Sequence, residues 1–301
     1  MGKSDLLHAQ RAITVTATTY QFPEEMESGD LGAALELTRI ASWNQLKEDW
    51  EAFMELGRLR CVKEPGGRIV GTIGLLPLGL EITWISLVLV LPEHRGRGLA
   101  SRMMHWAVER AREEGWTAML DATEAGSHVY RKIGFKTTDK LYRCVLDGAG
   151  GTASPGETET LFPMTSGDVA EAGAWEQSRC GLDRRDLIAS WLRGGRVVGW
   201  LGRDASGRLT GFSLSRPGHK APQMGPAHAE DPESFREHVR RHLAARPGPL
   251  LMDLTARGLK EARETWGKDL RLEREFLRMG LGSQLPAIPP TQYAIAGPEF
   301  G

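Results

Sequence analysis

The chain has 301 residues, enough for two domains at roughly 100–200 residues each. Its 38 Lys and Arg residues against 39 Asp and Glu give a net charge of −1, which argues against a general nucleic-acid or membrane-surface binder, whose footprint would be basic. Cys61, Cys144 and Cys180 are odd in number and widely spaced, so they indicate neither a disulfide framework nor a zinc or other metal site and fit reduced thiols in a cytoplasm.

Residues 1–11 lack the apolar core of a signal peptide, and no apolar run reaches the ~18–20 residues that span a bilayer. Residues 13–20 alternate apolar and polar and read as a strand. Ser28 or Asp30 can cap a helix running to Ile40, and a second helix covers 45–56. Strands follow at 59–63 and 68–76, joined by the turn Pro65-Gly66-Gly67. Residues 82–90 are apolar on both faces, as expected of a central strand. A helix at 99–114 carries Leu99, Met103 and Ala107 on one stripe and Met104, Val108 and Ala111 on another. A strand at 118–122, a short helix at 126–133 and a strand at 140–146 complete an order β-α-α-β-β-β-α-β-α-β.

Residues 147–158 are small, polar and glycine-rich, and read as a linker. They divide the chain into domains 1–148 and 159–301, with 149–158 between them. Three short patterns recur in order across this divide. Met26-x-Ser28-Gly29-Asp30 returns at Met164, Gly67-Arg68-Ile69-Val70-Gly71 at Gly207, and Asp121-x-Thr123-x-x-Gly126 at Asp253. Their order favours a duplicated domain over chance reuse of turn residues.

The most informative stretch is His94-Arg95-Gly96-Arg97-Gly98-Leu99-Ala100, between the apolar strand and the amphipathic helix. A strand, a Gly- and Arg-rich loop and a helix N-terminus together hold a phosphate: backbone N–H groups converge, and the helix adds about half a positive charge. Glycines let the backbone approach closely, and Arg95 and Arg97 offer charge-assisted donors. The second half lacks such a loop. Its counterpart falls at residues 224–232, where Glu230 and Asp231 would repel phosphate, and Ala262 falls near the place of Tyr130. Its His228 could face the cleft but reads as an ordinary polar residue, and the helix with Arg236, Arg240 and Arg241 reads as a solvated face in preference to an anion site.

Arg95, Gly98 and Ala100 fill the three fixed positions of Gln/Arg-x-x-Gly-x-Gly/Ala, Val90-Leu91-Pro92 matches a Val-x-Pro, and Tyr130-x-x-x-Gly134-Phe135 matches a Tyr-x-x-x-Gly-Phe. With the element order, these motifs resemble the GNAT acyltransferase family over about residues 13–146. The whole chain is similar to a narrower group in which a GNAT domain is fused to a second, degenerate one; Ala41-Ser42-Trp43-Asn44-Gln45, Leu120-Asp121-Ala122-Thr123 and Arg216-Pro217-Gly218 carry that likeness. Glu124 departs from the pattern, standing where a proline is expected. The resemblance implies an α/β (α+β) class with tandem GNAT folds, each a mixed, mainly antiparallel twisted sheet flanked by helices.

It also implies acetyl-CoA as cosubstrate. Its pantetheine arm would lie along Leu89 and Val90, and its pyrophosphate would rest on the amides of Arg95, Gly96, Arg97, Gly98, Leu99 and Ala100. The reaction would be direct attack by a primary amine. Tyr130 could protonate or hydrogen-bond the leaving thiolate, and Asp121, Glu124 or His128 could serve as base through a water. Trp43, Asn44 and Gln45, between the first two helices, would form one wall of the acceptor site. A small-molecule amine fits a second domain folded over the site. A protein lysine, a longer acyl group, a non-catalytic acyl-CoA-binding protein and a homodimer stay open.

Overall fold

The structure, a computed structural model, describes residues 20–148 and 160–301. The strand expected at 13–20 and the linker at 149–158 lie outside the described residues, apart from Tyr20. The first half runs β1 (Gln21–Glu25), α1 (Leu31–Ile40), α2 (Lys47–Leu56), β2 (Arg58–Lys63), β3 (Ile69–Pro77), β4 (Ile82–Val90), α3 (Leu99–Glu113), β5 (Thr117–Ala122), α4 (Glu124–Ile133) and β6 (Lys136–Leu146). The second repeats that order as β7 (Thr160–Pro163), α5 (Val169–Cys180), α6 (Arg185–Arg193), β8 (Val198–Arg203), β9 (Leu209–Arg216), β10 (Gln223–Ala229), α7 (Pro232–Ala245), β11 (Leu250–Leu254), α8 (Ala256–Trp266) and β12 (Leu270–Leu281), and adds β13 (Gln292–Ala294).

The repeated sequence patterns do the same local work in each half. Asp30 accepts the Glu27 amide at 3.0 Å, and Asp168 accepts the Thr165 amide at 2.8 Å, each fixing the entry to a helix. Thr123 Oγ1 accepts from the Gly126 amide, and Thr255 Oγ1 from the Gly258 amide, so each caps the helix after its strand. The glycine pattern turns each hairpin, with Gly67 and Gly207 both at positive φ. α3 buries Leu99, Met103, Met104, Ala107, Val108 and Ala111, the two stripes its periodicity predicts.

The two sheets are continuous, which local patterns do not reveal. The described strands form one sheet in the order β1-β2-β3-β4-β5-β12-β6-β11-β13-β10-β9-β8-β7. The halves exchange their last long strands. β12, from the second half, pairs with β5 of the first, while β6, from the first half, pairs with β11 of the second. Among the described pairings only β4 with β5 and β10 with β11 are parallel. Each parallel pair holds for two or three residues and then separates: Ile82–Trp84 against Thr117–Met119, and Gln223 and Met224 against Leu251 and Met252.

Residues 295–301 run buried between the halves. Arg216 joins Asp49 of α2 at 2.8 Å and Glu299 of this segment, and lies over the rings of Trp191 and Phe300. Burial lifts the Asp49 carboxyl to about 6, against the pull of Arg216. In the second half, Ser213 Oγ lies 2.8 Å from both His238 Nδ1 and His242 Nε2. Burial pushes both imidazoles down to about 3, so they stay neutral in the fold.

These groups set an acid limit. Below the unfolded His pKa of ~6.5 the unfolded chain takes up two protons that the folded chain refuses, at about 1.4 kcal/mol per pH unit for each imidazole. Asp49 opposes this, because the folded chain protonates it first as pH falls through about 6. Urea unfolding from pH 6.5 to 5 should therefore show a net loss of roughly 2 kcal/mol. Stability that is flat or rising over that range would contradict the buried neutral pair.

Candidate functional site

The first half has an open cleft where the second has a filled one. Beyond Trp84 and Met119, β4 and β5 diverge, and no described strand lies between them. A bulge in β4 turns the strand there: Ser86 and Leu89 stand opposite Gly74 and Thr72, and Leu87 takes a left-handed φ of 54°. A leucine in that conformation costs about 1–2 kcal/mol, and the Thr72 hydroxyl, donating to Leu87 O at 2.8 Å, holds it. In the second half, β13 occupies the corresponding gap. Ala294 sits opposite Ala227 of β10 and opposite Leu254 of β11.

The Gly- and Arg-rich loop closes one end of the open cleft. Gly96 and Gly98 both have positive φ, and an added Cβ at either would meet open space. Gly98 is the N-cap of α3 with φ 76°, so the helix begins on a residue that offers no side chain to its free amides. The first four N–H groups of a helix have no intrahelical partner, and here they face a cradle that suits an anion. The arginines partly brace the loop. Arg95 Nε donates to Val90 O at 3.1 Å, and Arg97 donates to the Tyr20 hydroxyl at 3.0 Å and to Glu93 O at 3.3 Å. Tyr20 also shares a 2.9 Å hydrogen bond with His94 Nδ1. Each guanidinium keeps further N–H donors.

Among the described residues of the second half there is no comparable loop. The stretch expected to replace it is mostly strand β10, and α7 starts at Pro232 with Asp231 capping it through the Ser234 amide. Glu230 is paired with Arg208 and Arg179. His228, read as an ordinary polar residue, is buried with Nε2 3.1 Å from Glu176. Arg236, Arg240 and Arg241 pair with Glu233, Glu237 and Glu261, not with solvent alone.

The candidate catalytic residues separate into three environments. Tyr130, on α4, packs against the core and near Phe135, and burial pushes its phenol up to about 12. Its hydroxyl has no hydrogen-bond partner among the described residues. Glu124 and His128 stand at the start of α4 with side chains 70% and 67% exposed, 4.0 Å apart. Asp121 is different: its carboxylate is buried and takes both Nε and Nη2 of Arg278 at 2.9 Å. Burial lifts its pKa, and Arg278 opposes that rise. Arg278 also lies over the Trp84 ring.

The second half repeats this pair, with Asp253 holding Arg143 bidentately at 2.8 Å. Each pair joins a strand end of one half to the strand lent by the other. Their arrangement makes Asp121 a structural clamp, committed where a base must be free. Asp121→Asn should cost roughly 3–5 kcal/mol by leaving Arg278 buried and unbalanced, and Asp253→Asn should cost a similar amount. A loss of unfolding free energy below about 1 kcal/mol for either would contradict the clamp.

Of the expected acceptor wall, Asn44 is the best defined. It is buried, accepts the Lys220 amide at 2.8 Å through Oδ1 and donates to Ala221 O at 3.1 Å. Gly218 is required beside it, since a Cβ there would overlap the Asn44 amide at 2.1 Å. Asn44 thus ties the α1–α2 connection to the turn between β9 and β10. Gln45 is buried and Trp43 half-buried against the core. Sequence reading missed the rest of this region: a cavity of about 360 Å³ lined by Ser42, Asn44, Arg143, Lys220, Leu251 and residues 271–274. Residues far apart in the chain meet there only because β6 and β12 are exchanged.

Two family models match the chain: the Acetyltransferase (GNAT) family over residues 30–135 and an Acetyltransferase (GNAT) domain over residues 174–294. An uncharacterized N-acetyltransferase of Bacillus subtilis, YitH, is 25% identical over 221 residues, covering 73% of this chain and 77% of that protein. The streptothricin acetyltransferase of Streptomyces lavendulae is 38% identical over 81 residues, covering 25% of this chain and only 40% of that protein. A candidate acetyltransferase from Pyrococcus horikoshii has the same fold with a TM-score of 0.76 at 18% identity, covering 98% of this chain and all of that one. A tandem GNAT protein from the clavulanic acid biosynthesis pathway aligns at TM-score 0.62 and 14% identity over 89% of this chain and 100% of that one. With both halves matched and the fold shared along the chain, this protein belongs to the GNAT family of acyl-CoA-dependent N-acetyltransferases, carrying two GNAT folds in tandem.

Proposed function

We propose that the first half transfers an acetyl group from acetyl-CoA to a primary amine of a small molecule, and that the second half binds no CoA. The observation that carries this reading is the contrast between the two clefts. β13 shows that an extended chain fits between such separating strands, pairing with both. In the first half no described strand takes that place, and the glycine loop stands at its end. In this reading Leu89 and Val90 flank the pantetheine arm, and the amides of residues 95–100 take the pyrophosphate.

The amine nitrogen attacks the thioester carbonyl carbon, the C–S bond breaks and the sulfur leaves as a thiolate. Tyr130 enters protonated, since its phenol titrates near 12. A thiol of pKa ~8.5 is the stronger acid. Tyr130 therefore acts first as a hydrogen-bond donor to the developing thiolate rather than by full proton transfer. Glu124 and His128, open to solvent, take the amine's proton through water. The test is to supply the protein with radiolabelled acetyl-CoA, a panel of small primary amines and a lysine-rich protein. Label should pass to a free amine with release of CoA. Label on protein lysines alone would overturn the small-acceptor reading, and no transfer with tight CoA binding would favour a regulatory acyl-CoA-binding protein.

A further inference from the structure

The 360 Å³ cavity has a position and a charge that bear on what the acceptor must be. Ala122 at the end of β5 stands opposite Leu277 of β12, and Leu277 opposite Lys140 of β6. The cavity residues Arg143 and 271–274 lie farther along those two strands, ahead of the end of β5. β11 runs the opposite way and only begins there, with Leu251 opposite Val145. The cavity therefore opens beyond the first half's cleft, roofed by the α1–α2 connection and the β9–β10 turn.

Four cations and one carboxylate line it: Arg143, Lys220, Arg271, Arg274 and Glu273. Arg143 is balanced by Asp253, and Arg271 by Glu273 at 2.8 Å. The Lys220 ammonium and the Arg274 guanidinium have no partner among the described residues. The backbone is fixed at both. Asn44 fixes the Lys220 backbone, and a β-bulge at Glu273 sets the direction of the strand at Arg274. A simple alkylammonium would be repelled by such a wall, whereas an anion would find an exposed lysine and an exposed arginine on the lining. Leu251 and Leu272 add apolar surface to the lining.

We propose that the acceptor is a primary amine that also bears an anionic group, held in this cavity by Lys220 and Arg274. The proposal rests on the acyl-transfer reading for the amine end, but the anion site can be read without it. Matched pairs separate the two: 6-aminohexanoate against hexylamine, and O-phosphoethanolamine against ethanolamine. Each is measured twice, by calorimetric binding without acetyl-CoA and by acetylation rate with it, in the wild type and in Lys220→Gln/Arg274→Gln.

The expected result is preference for the anionic member of at least one pair by about fivefold or more in Kd and kcat/KM. It should be lost in the double variant and weakened by added salt, while the amine without the anionic group binds as before or better. Whichever pair shows the preference identifies carboxylate or phosphate as the anion. Equal binding and equal rates for both members of each pair would overturn the anion site and leave the transferase standing. Anion-dependent binding with no acetylation of any amine would support the site and overturn the transfer reading. A double variant that loses neutral and anionic amines alike would assign the two residues to general structure and end the proposal.

Discussion

Gly98→Asp should weaken acetyl-CoA binding by at least about 100-fold, equivalent to ~2.7 kcal/mol, while leaving the protein folded. Gly98 has φ 76°, so a side chain there carries a left-handed cost of about 1–2 kcal/mol. No neighbour lies within reach of the new Cβ, so the strain spreads no further. The carboxylate would project beside the free amides of α3, where the proposed pyrophosphate lies, and would oppose it by charge. Gly98→Asn is the control, because asparagine tolerates the same backbone and brings no charge. If both variants bind acetyl-CoA as well as wild type, the loop is not the phosphate site. If both lose binding equally, strain and not charge is responsible.

Tyr130→Phe should lower kcat by roughly 100-fold or more and change acetyl-CoA affinity by less than about threefold. The phenol hydroxyl has no protein partner among the described residues, so its loss removes no structural hydrogen bond and melting should be unchanged or slightly raised. A purely structural tyrosine would give the opposite pattern, with stability shifted and turnover kept. Unchanged kcat under conditions where chemistry limits the rate would remove Tyr130 from the mechanism.

The elements themselves were legible because their signals are local. Periodicity marks α3, the glycine turns mark the hairpins, and each element expected within the described first half is present. The loop was legible for the same reason, since its glycines and the flanking strand and helix are contiguous. The repeated Asp-x-Thr pattern was read as duplication, yet its partners Arg278 and Arg143 were not, because each lies on a strand exchanged from the other half. For the same reason neither the pairing of Asp121 with Arg278 nor the tie from Asn44 to the β9–β10 turn could be read from spacing. β13 was invisible: three residues, Gln292-Tyr293-Ala294, carry no strand signal until two open edges receive them. What stayed hidden was the pairing of distant segments, which no spacing along the chain records.

With one cleft open and the other filled by β13, the most direct measurement is calorimetric titration of acetyl-CoA into the full chain. One saturable site per chain is predicted, abolished by Gly98→Asp. Two sites per chain would mean that β13 yields its place to a ligand, and no site would contradict the assignment of the first cleft to acyl-CoA.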